Sequence, residues 1–174
     1  MRSGQLRVLD VQMDFDKHTV GDLLQTFSEV LEELRKRGVV RSSNNPVADY
    51  TEYLVSTELR LTRLGNSAAG ADAVDEQGRR YQIKGRRLTA ANRSPALSGI
   101  RNLKDRPFDF LIAVIYNQDF SVDYAAQVPY DVVTSVARFS KHTNSNLLVM
   151  SRRLLDHHEV VNLTRILQSP AARK

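Results

Sequence analysis

The ten residues "FDFLIAVIYN", 108–117, constrain the fold of this chain more than any other stretch. From Phe110 to Tyr116 every side chain is apolar, so no polar face is left to turn toward water. A helix of that length makes only about two turns, whereas a strand is long and needs cover on both faces. The run therefore predicts a buried central strand. The segment "SVDYAAQVPY", 121–130, alternates as an antiparallel partner would, across a short loop. The longest apolar runs are too short to span a bilayer.

Cover for such a sheet is available along the chain. Thr19 and Asp22 resemble a capping pair, and Val20, Leu23, Leu24, Phe27, Val30, Leu31 and Leu34 recur at helical spacing up to Gly38. A second helix is expected from about Val47 to Leu59, and a short first strand near Leu59–Leu64. "LGNSAAG", 64–70, reads as a connector. Ser94-Pro95 resembles an N-cap with proline at the first helical position, predicting a short helix to about Lys104. A helix near 131–139, a strand near 146–150 and a last helix near 156–168 complete the expectation. With 174 residues the chain reads as one α/β domain with a mixed central sheet. Residues 1–45 are expected to form an N-terminal helical extension packed on the core, and residues 46–174 the core itself.

Charge narrows the partners. The net charge is +5, but the window from Arg79 to Arg106 holds nine bases and a single acid, Asp105. That window carries +8 and the rest of the chain −3, which is the footprint of a polyanion partner or of a solvated basic surface. No cysteine is present, so disulfide frameworks and thiolate metal sites are excluded. The N-terminus lacks the apolar core of a signal peptide, and a cytoplasmic protein is expected. "GNSAAG" lacks the Lys-Ser/Thr of an ATP-binding loop. His157 and His158 are adjacent, not one helical turn apart, and are expected to start a helix in solvent.

The chemistry concentrates in "GADAVDEQGRRYQIKGRR", 70–87. Asp75 and Arg79 flank "EQG", whose Gly78 suits the left-handed position of a bulged type I turn. Pairing Asp75 with Arg79 sets Asp72 opposite Gln82, because each step back on one strand is a step forward on the other. Gln82 and Lys84 then share the face of Asp72, while Tyr81 and Ile83 point to the core. A two-residue turn would instead set Asp72 opposite Ile83 and scatter the group. Read alone, Gln82 and Lys84 also suit an exposed strand face, with Asp72 as a cap near the turn.

Together with Glu52 in "DYTEYLV", these residues resemble the PD-(D/E)xK nuclease superfamily, the restriction-endonuclease-like fold, over about residues 47–117. In that family a helix supplies an acid, one strand an aspartate and the next strand (D/E)-x-K. The match here reads Glu52, Asp72 and Gln82-Ile83-Lys84. The proline before the aspartate is replaced by Ala71, and the middle acid by glutamine. Glu58 competes with Glu52 for the helix role.

The resemblance implies a mixed central sheet flanked by helices and metal-dependent cleavage of DNA, with RNA not excluded. Mg²⁺, or Mn²⁺ in its place, would be held by Asp72, Gln82, Glu52 and the Ile83 carbonyl. Catalysis would rest on Glu52, Asp72, Gln82 and Lys84. Arg86, Arg87, Arg101 and Lys104 would grip flanking phosphates. The missing acid at Gln82 keeps a second expectation open, a nucleic-acid-binding module that lost catalysis. A third is an interaction protein whose basic segment meets an acidic protein. A homodimer through the helix at 19–37 is also expected.

Overall fold

The computed structural model describes residues 14–65 and 70–168, so most of the "LGNSAAG" connector lies outside the described residues. Among the described residues four α-helices and eight strands are formed: α1 (Val20–Lys36), α2 (Val47–Glu58), β1 (Thr62–Arg63), β2 (Ala73–Val74), β3 (Arg80–Arg87), β4 (Phe110–Tyr116), β5 (Val122–Pro129), α3 (Tyr130–Val136), β6 (Arg138–Ser140), β7 (Ser145–Leu147), β8 (Val161–Asn162) and α4 (Thr164–Gln168). Six strands form one sheet in the order β1-β2-β3-β4-β5-β8. Its β3–β4 pair is parallel and the others antiparallel, so the class is α/β with a mixed sheet flanked by helices. Among the described residues no helix is long and apolar enough to cross a membrane.

The apolar run at 110–116 is the central strand β4, with every side chain from Leu111 to Tyr116 buried. Alternation divides its residues between two cores. Ile112, Val114 and Tyr116 join Leu54 and Val55 of α2 with Leu163 and Leu167 around α4. Leu111, Ala113 and Ile115 join Leu97, Ile100 and Phe108 of the β3–β4 crossover with Val132 and Val133 of α3. Burial of this extent, at roughly 25 cal/mol per Å² of apolar surface, is the main force holding the layers together.

The crossover departs from the sequence reading. No α-helix forms at 94–104. The segment instead runs antiparallel to residues 146–150 through bridges at Ala96–Val149 and Ile100–Asn146, and only Leu103–Asp105 turn into a short 3-10 helix. Leu97, Ile100 and Leu103, three residues apart, are all buried as a helix would bury them. Backbone bonds from Leu97 N to Leu148 O and Ile100 N to Asn146 O, each 2.9 Å, replace a helical ladder. The expected strand near 146–150 accordingly pairs with β6 and the crossover, outside the main sheet.

The expected last helix is also broken. Arg152–Asp156 is 3-10, β8 adds to the sheet edge beside β5, and only α4 is helical. The β-branched pair Val160-Val161 favours extension, and the Asn162 carboxamide accepts from Thr164 N at 2.9 Å at the new helix start. His157 and His158 stack in the intervening turn with ring centroids 4.7 Å apart, and do not open a helix.

Candidate active site

Gly78 sets the register of the site. It adopts φ +76°, and its N–H donates to Asp75 O at 3.0 Å. Asp75 caps the same turn by accepting from Gln77 N and Arg79 N at 3.0 and 2.9 Å. Ala73 then pairs with Tyr81 and Val74 with Arg80, the register the three-residue loop predicts, and just beyond the last pair the side chains of Asp72 and Gln82 meet. The Asp72 backbone is fixed on both sides: its N–H donates to Tyr81 O and its carbonyl accepts from Leu64 N, each at 2.8 Å.

Beyond this point β2 leaves β3, and the Asp72 side chain takes over the edge it abandons. Its carboxylate accepts from the Ile83 N–H at 2.6 Å and from the Gln82 side-chain amide. In an extended strand a residue's N–H and C=O point to the same edge, so the Ile83 carbonyl faces this position too. With its NH₂ on Asp72, the amide of Gln82 keeps its oxygen as a further acceptor.

Glu52 is brought in by close packing of α2 on β3. A Cβ on Gly85 would lie 2.0 Å from Thr51 Oγ1 and 3.2 Å from Val47 Cγ1, so only glycine lets the helix approach this far. Thr51 is fully buried, and the next residue, Glu52, lies near enough to Asp72 to feel its charge. Burial pushes the Glu52 carboxyl above its ordinary value, and the Asp72 charge pushes the same way. The Arg41 guanidinium opposes both through an ion pair with Glu52, while Arg41 also donates to Leu64 O at 3.0 Å. Glu58 lies six residues on, roughly 9 Å along the axis, at the last position of α2.

Asp72, Gln82 and Lys84 line one wall of a cleft of 590 Å³. Ser98, Arg101 and Asn102 of the crossover and Thr143 and Ser145 of the β6–β7 turn line the other. Lys84, half-buried on this wall, forms no ion pair among the described residues. The four residues on the second wall other than Arg101 were not foreseen, because long-range pairing of 95–100 with 146–150 brings them there.

The basic window is less available than its charge suggests. Arg79 pairs with Asp75, Arg80 with Asp109 and Arg106 with Asp131. Arg86 shares the face of Gln82 and Lys84, and its Nε donates to Ser94 O at 3.1 Å. Arg87 points to the opposite face, its guanidinium 4.5 Å from the centre of the Phe120 ring, so it does not join the cleft. Lys104 is exposed on the crossover.

Two carboxylates that repel each other beside a strand-edge carbonyl and an amide oxygen form an all-oxygen set, the chemistry a hard divalent cation selects. Among the described residues no group of three or more His, Cys, Asp or Glu forms, so any cation here depends on Gln82 and backbone. No family model and no curated protein matches the chain.

The raised Glu52 carboxyl gives a stability test. Below the ordinary value of 4.5 both folded and unfolded chains hold the proton, and the carboxylate costs stability as pH rises through its folded value. Glu52→Gln is therefore expected to melt higher than the parent chain at pH 7 in EDTA, by about 2–4 °C for each kcal/mol relieved. The gap should close as pH falls toward 4, and Mg²⁺ should raise the melting temperature of the parent chain alone. A variant that melts lower at pH 7 would contradict the repulsion.

Proposed function

We propose that the protein is a metal-dependent DNA endonuclease of restriction-endonuclease-like fold, hydrolysing phosphodiester bonds in the cleft between β3 and the β6–β7 turn. The observation that carries this reading is the register that joins Asp72 and Gln82 at one strand edge, with Lys84 on the same cleft wall and Glu52 within reach of the Asp72 charge. The antiparallel β1-β2-β3 edge followed by parallel β4 supports the same fold.

Asp72, Glu52, the Gln82 amide oxygen and the Ile83 carbonyl would hold Mg²⁺ or Mn²⁺. Such an ion supplies Lewis acidity at the phosphoryl group and lowers the pKa of an attacking water. Lys84 offsets the charge that develops on the phosphoryl oxygens and orients the attacking water. Arg101 holds a neighbouring phosphate, with the hydroxyls of Ser98, Thr143 and Ser145 as neutral donors on the same wall. Glutamine at position 82 brings no charge, so the ion is held more weakly than by three carboxylates. That feature favours a second reading, a binding module that keeps the fold without cleaving.

Calorimetric titration of Mg²⁺, with and without duplex DNA, separates the two. Uptake that Asp72→Ala abolishes supports the nuclease, whereas no uptake in either state favours the binding module. Salt dependence tests the cleft itself. Each phosphate contact contributes about 0.9 to the logarithmic salt slope. Arg101→Ala should therefore flatten the slope by about one contact, while Arg87→Ala on the opposite face should leave it unchanged. Equal effects of the two would place the DNA elsewhere.

A further inference from the structure

The hairpin of β6 and β7 is a two-stranded sheet apart from the main one. Arg138 pairs with Leu147 and Ser140 with Ser145, so these four share a face, and Phe139 and Asn146 take the other. Ser145 is buried and lines the cleft, so the face of Arg138 and Leu147 continues the cleft wall outward. Further out neither face is covered: Leu147 is 37% exposed on one and Phe139 60% on the other. A ribbon bare on both faces projects from the body. Its base is held by the crossover, where Asn146 N donates to Ile100 O at 2.8 Å and Ile100 N to Asn146 O at 2.9 Å. A Cβ on Gly99 would lie 2.2 Å from Ser145 Oγ, so glycine lets the crossover close on β7. At the turn the hydroxyls of Thr143 and Ser145 share a hydrogen bond of 2.8 Å.

Charge selects what such a ribbon meets. Between Asp131 and Asp156 the sequence holds four bases, Arg138, Lys141, Arg152 and Arg153, with His142 and no acid. Arg152 is taken by Asp123. Arg138, Lys141 and His142 are exposed on the hairpin and join no ion pair among the described residues. Thr143 and Asn144 complete a tip made wholly of exposed hydrogen-bonding side chains. We propose that the β6–β7 hairpin enters the major groove of duplex DNA, an inference that rests on the cleft being the DNA site but not on its cutting. The strands of a ribbon lie about 4.8 Å apart, and the major groove of B-form DNA, about 12 Å wide, admits two of them. The major groove of duplex RNA is too deep and narrow for side chains to read, so the partner is duplex DNA. Lys141 and Asn144 reach base edges, where lysine suits guanine and asparagine adenine. Arg138, further back, meets the phosphates that rim the groove.

Fluorescence anisotropy on the full chain in Ca²⁺ tests the groove with three probes of one sequence. These are a plain DNA duplex, the same duplex with its cytosines glucosylated on the major-groove edge, and the same sequence as duplex RNA. The parent chain is expected to bind plain DNA about tenfold tighter than either of the others. The double variant Arg138→Ala, Lys141→Ala should lose that preference and bind all three alike. Both side chains are exposed, so its circular dichroism should match the parent's. A parent chain that binds glucosylated DNA as tightly as plain DNA overturns the proposal, as does a preference for duplex RNA or a double variant that keeps the parent's preference. Cleavage of plasmid in Mg²⁺ separates this proposal from the nuclease. Cutting without a preference for the open groove removes the hairpin from the major groove and leaves the nuclease. A preference that the double variant loses, in a chain that cuts nothing, supports the hairpin and removes the nuclease. A chain that binds no DNA overturns both.

Discussion

Replacing Lys84 with alanine is expected to slow DNA cleavage by about 10³-fold while changing DNA affinity by no more than one phosphate contact. Lys84 stands two residues beyond Gln82 on the same cleft wall, half-buried, with its ammonium committed to no carboxylate among the described residues. A cation held free beside an oxygen-rich strand edge acts most where negative charge grows during the reaction, and less on the ground-state duplex. The loss should therefore fall on kcat. Lys84→Arg keeps the charge but spreads it over a planar fork, so it should restore binding without restoring rate. Fluorescent oligonucleotides under single-turnover conditions give the rate, and anisotropy in Ca²⁺ gives the affinity. Unchanged cutting by Lys84→Ala would remove this residue from the chemistry.

The second large effect is structural. Gly85→Ala is expected to destabilise the fold by about 2–3 kcal/mol, as overpacking does when neither wall can move. The new methyl would meet Thr51 Oγ1 at 2.0 Å and Thr51 Cβ at 3.0 Å. Thr51 is held in turn by its own bond to Val47 O at 2.5 Å, so its hydroxyl has little freedom to swing aside. Relief requires α2 to lift from β3, and Glu52 lifts with it. Urea unfolding reads the stability, and Mg²⁺ titration should show weaker uptake by the folded variant. Thr51→Ala in the same chain removes the nearest atom and should recover part of both losses. A Gly85→Ala chain as stable as its parent would show that α2 does not pack this closely.

The parts of the fold that local chemistry dictates were legible in the sequence. Thr19 and Asp22 form the capping box they resemble, and Gly78 takes the left-handed turn that the pairing of Val74 with Arg80 and Ala73 with Tyr81 requires. The unbroken apolar run became the central strand because no other described element buries six residues in a row, as Leu111 to Tyr116 are buried here.

What failed was decided at long range. Ser94, Pro95, Leu97 and Ile100 carry helical signals, but residues 146–150 offer the same stretch a backbone partner, and that pairing prevailed. Thr143 and Ser145 reach the cleft by the same route, so nothing within reach of them in sequence announced their place. The pairing of Arg80 with Asp109 and of Arg106 with Asp131, across the crossover and beyond it, is equally invisible to a charge count. Arg87 is different. Strand alternation already sets it on the face opposite Arg86, and that parity was the signal that separates the two.

One cleft, built on Asp72 and Lys84, is proposed to hydrolyse DNA with a divalent cation. The most direct test incubates supercoiled plasmid and duplex oligonucleotides with the full chain in Mg²⁺ or Mn²⁺, beside Asp72→Ala and Lys84→Ala. Nicked and linear products from the parent chain, lost in EDTA and in both variants, are the predicted result. An intact plasmid in every tube, alongside salt-sensitive binding, would contradict it and identify a nucleic-acid-binding module that does not cleave.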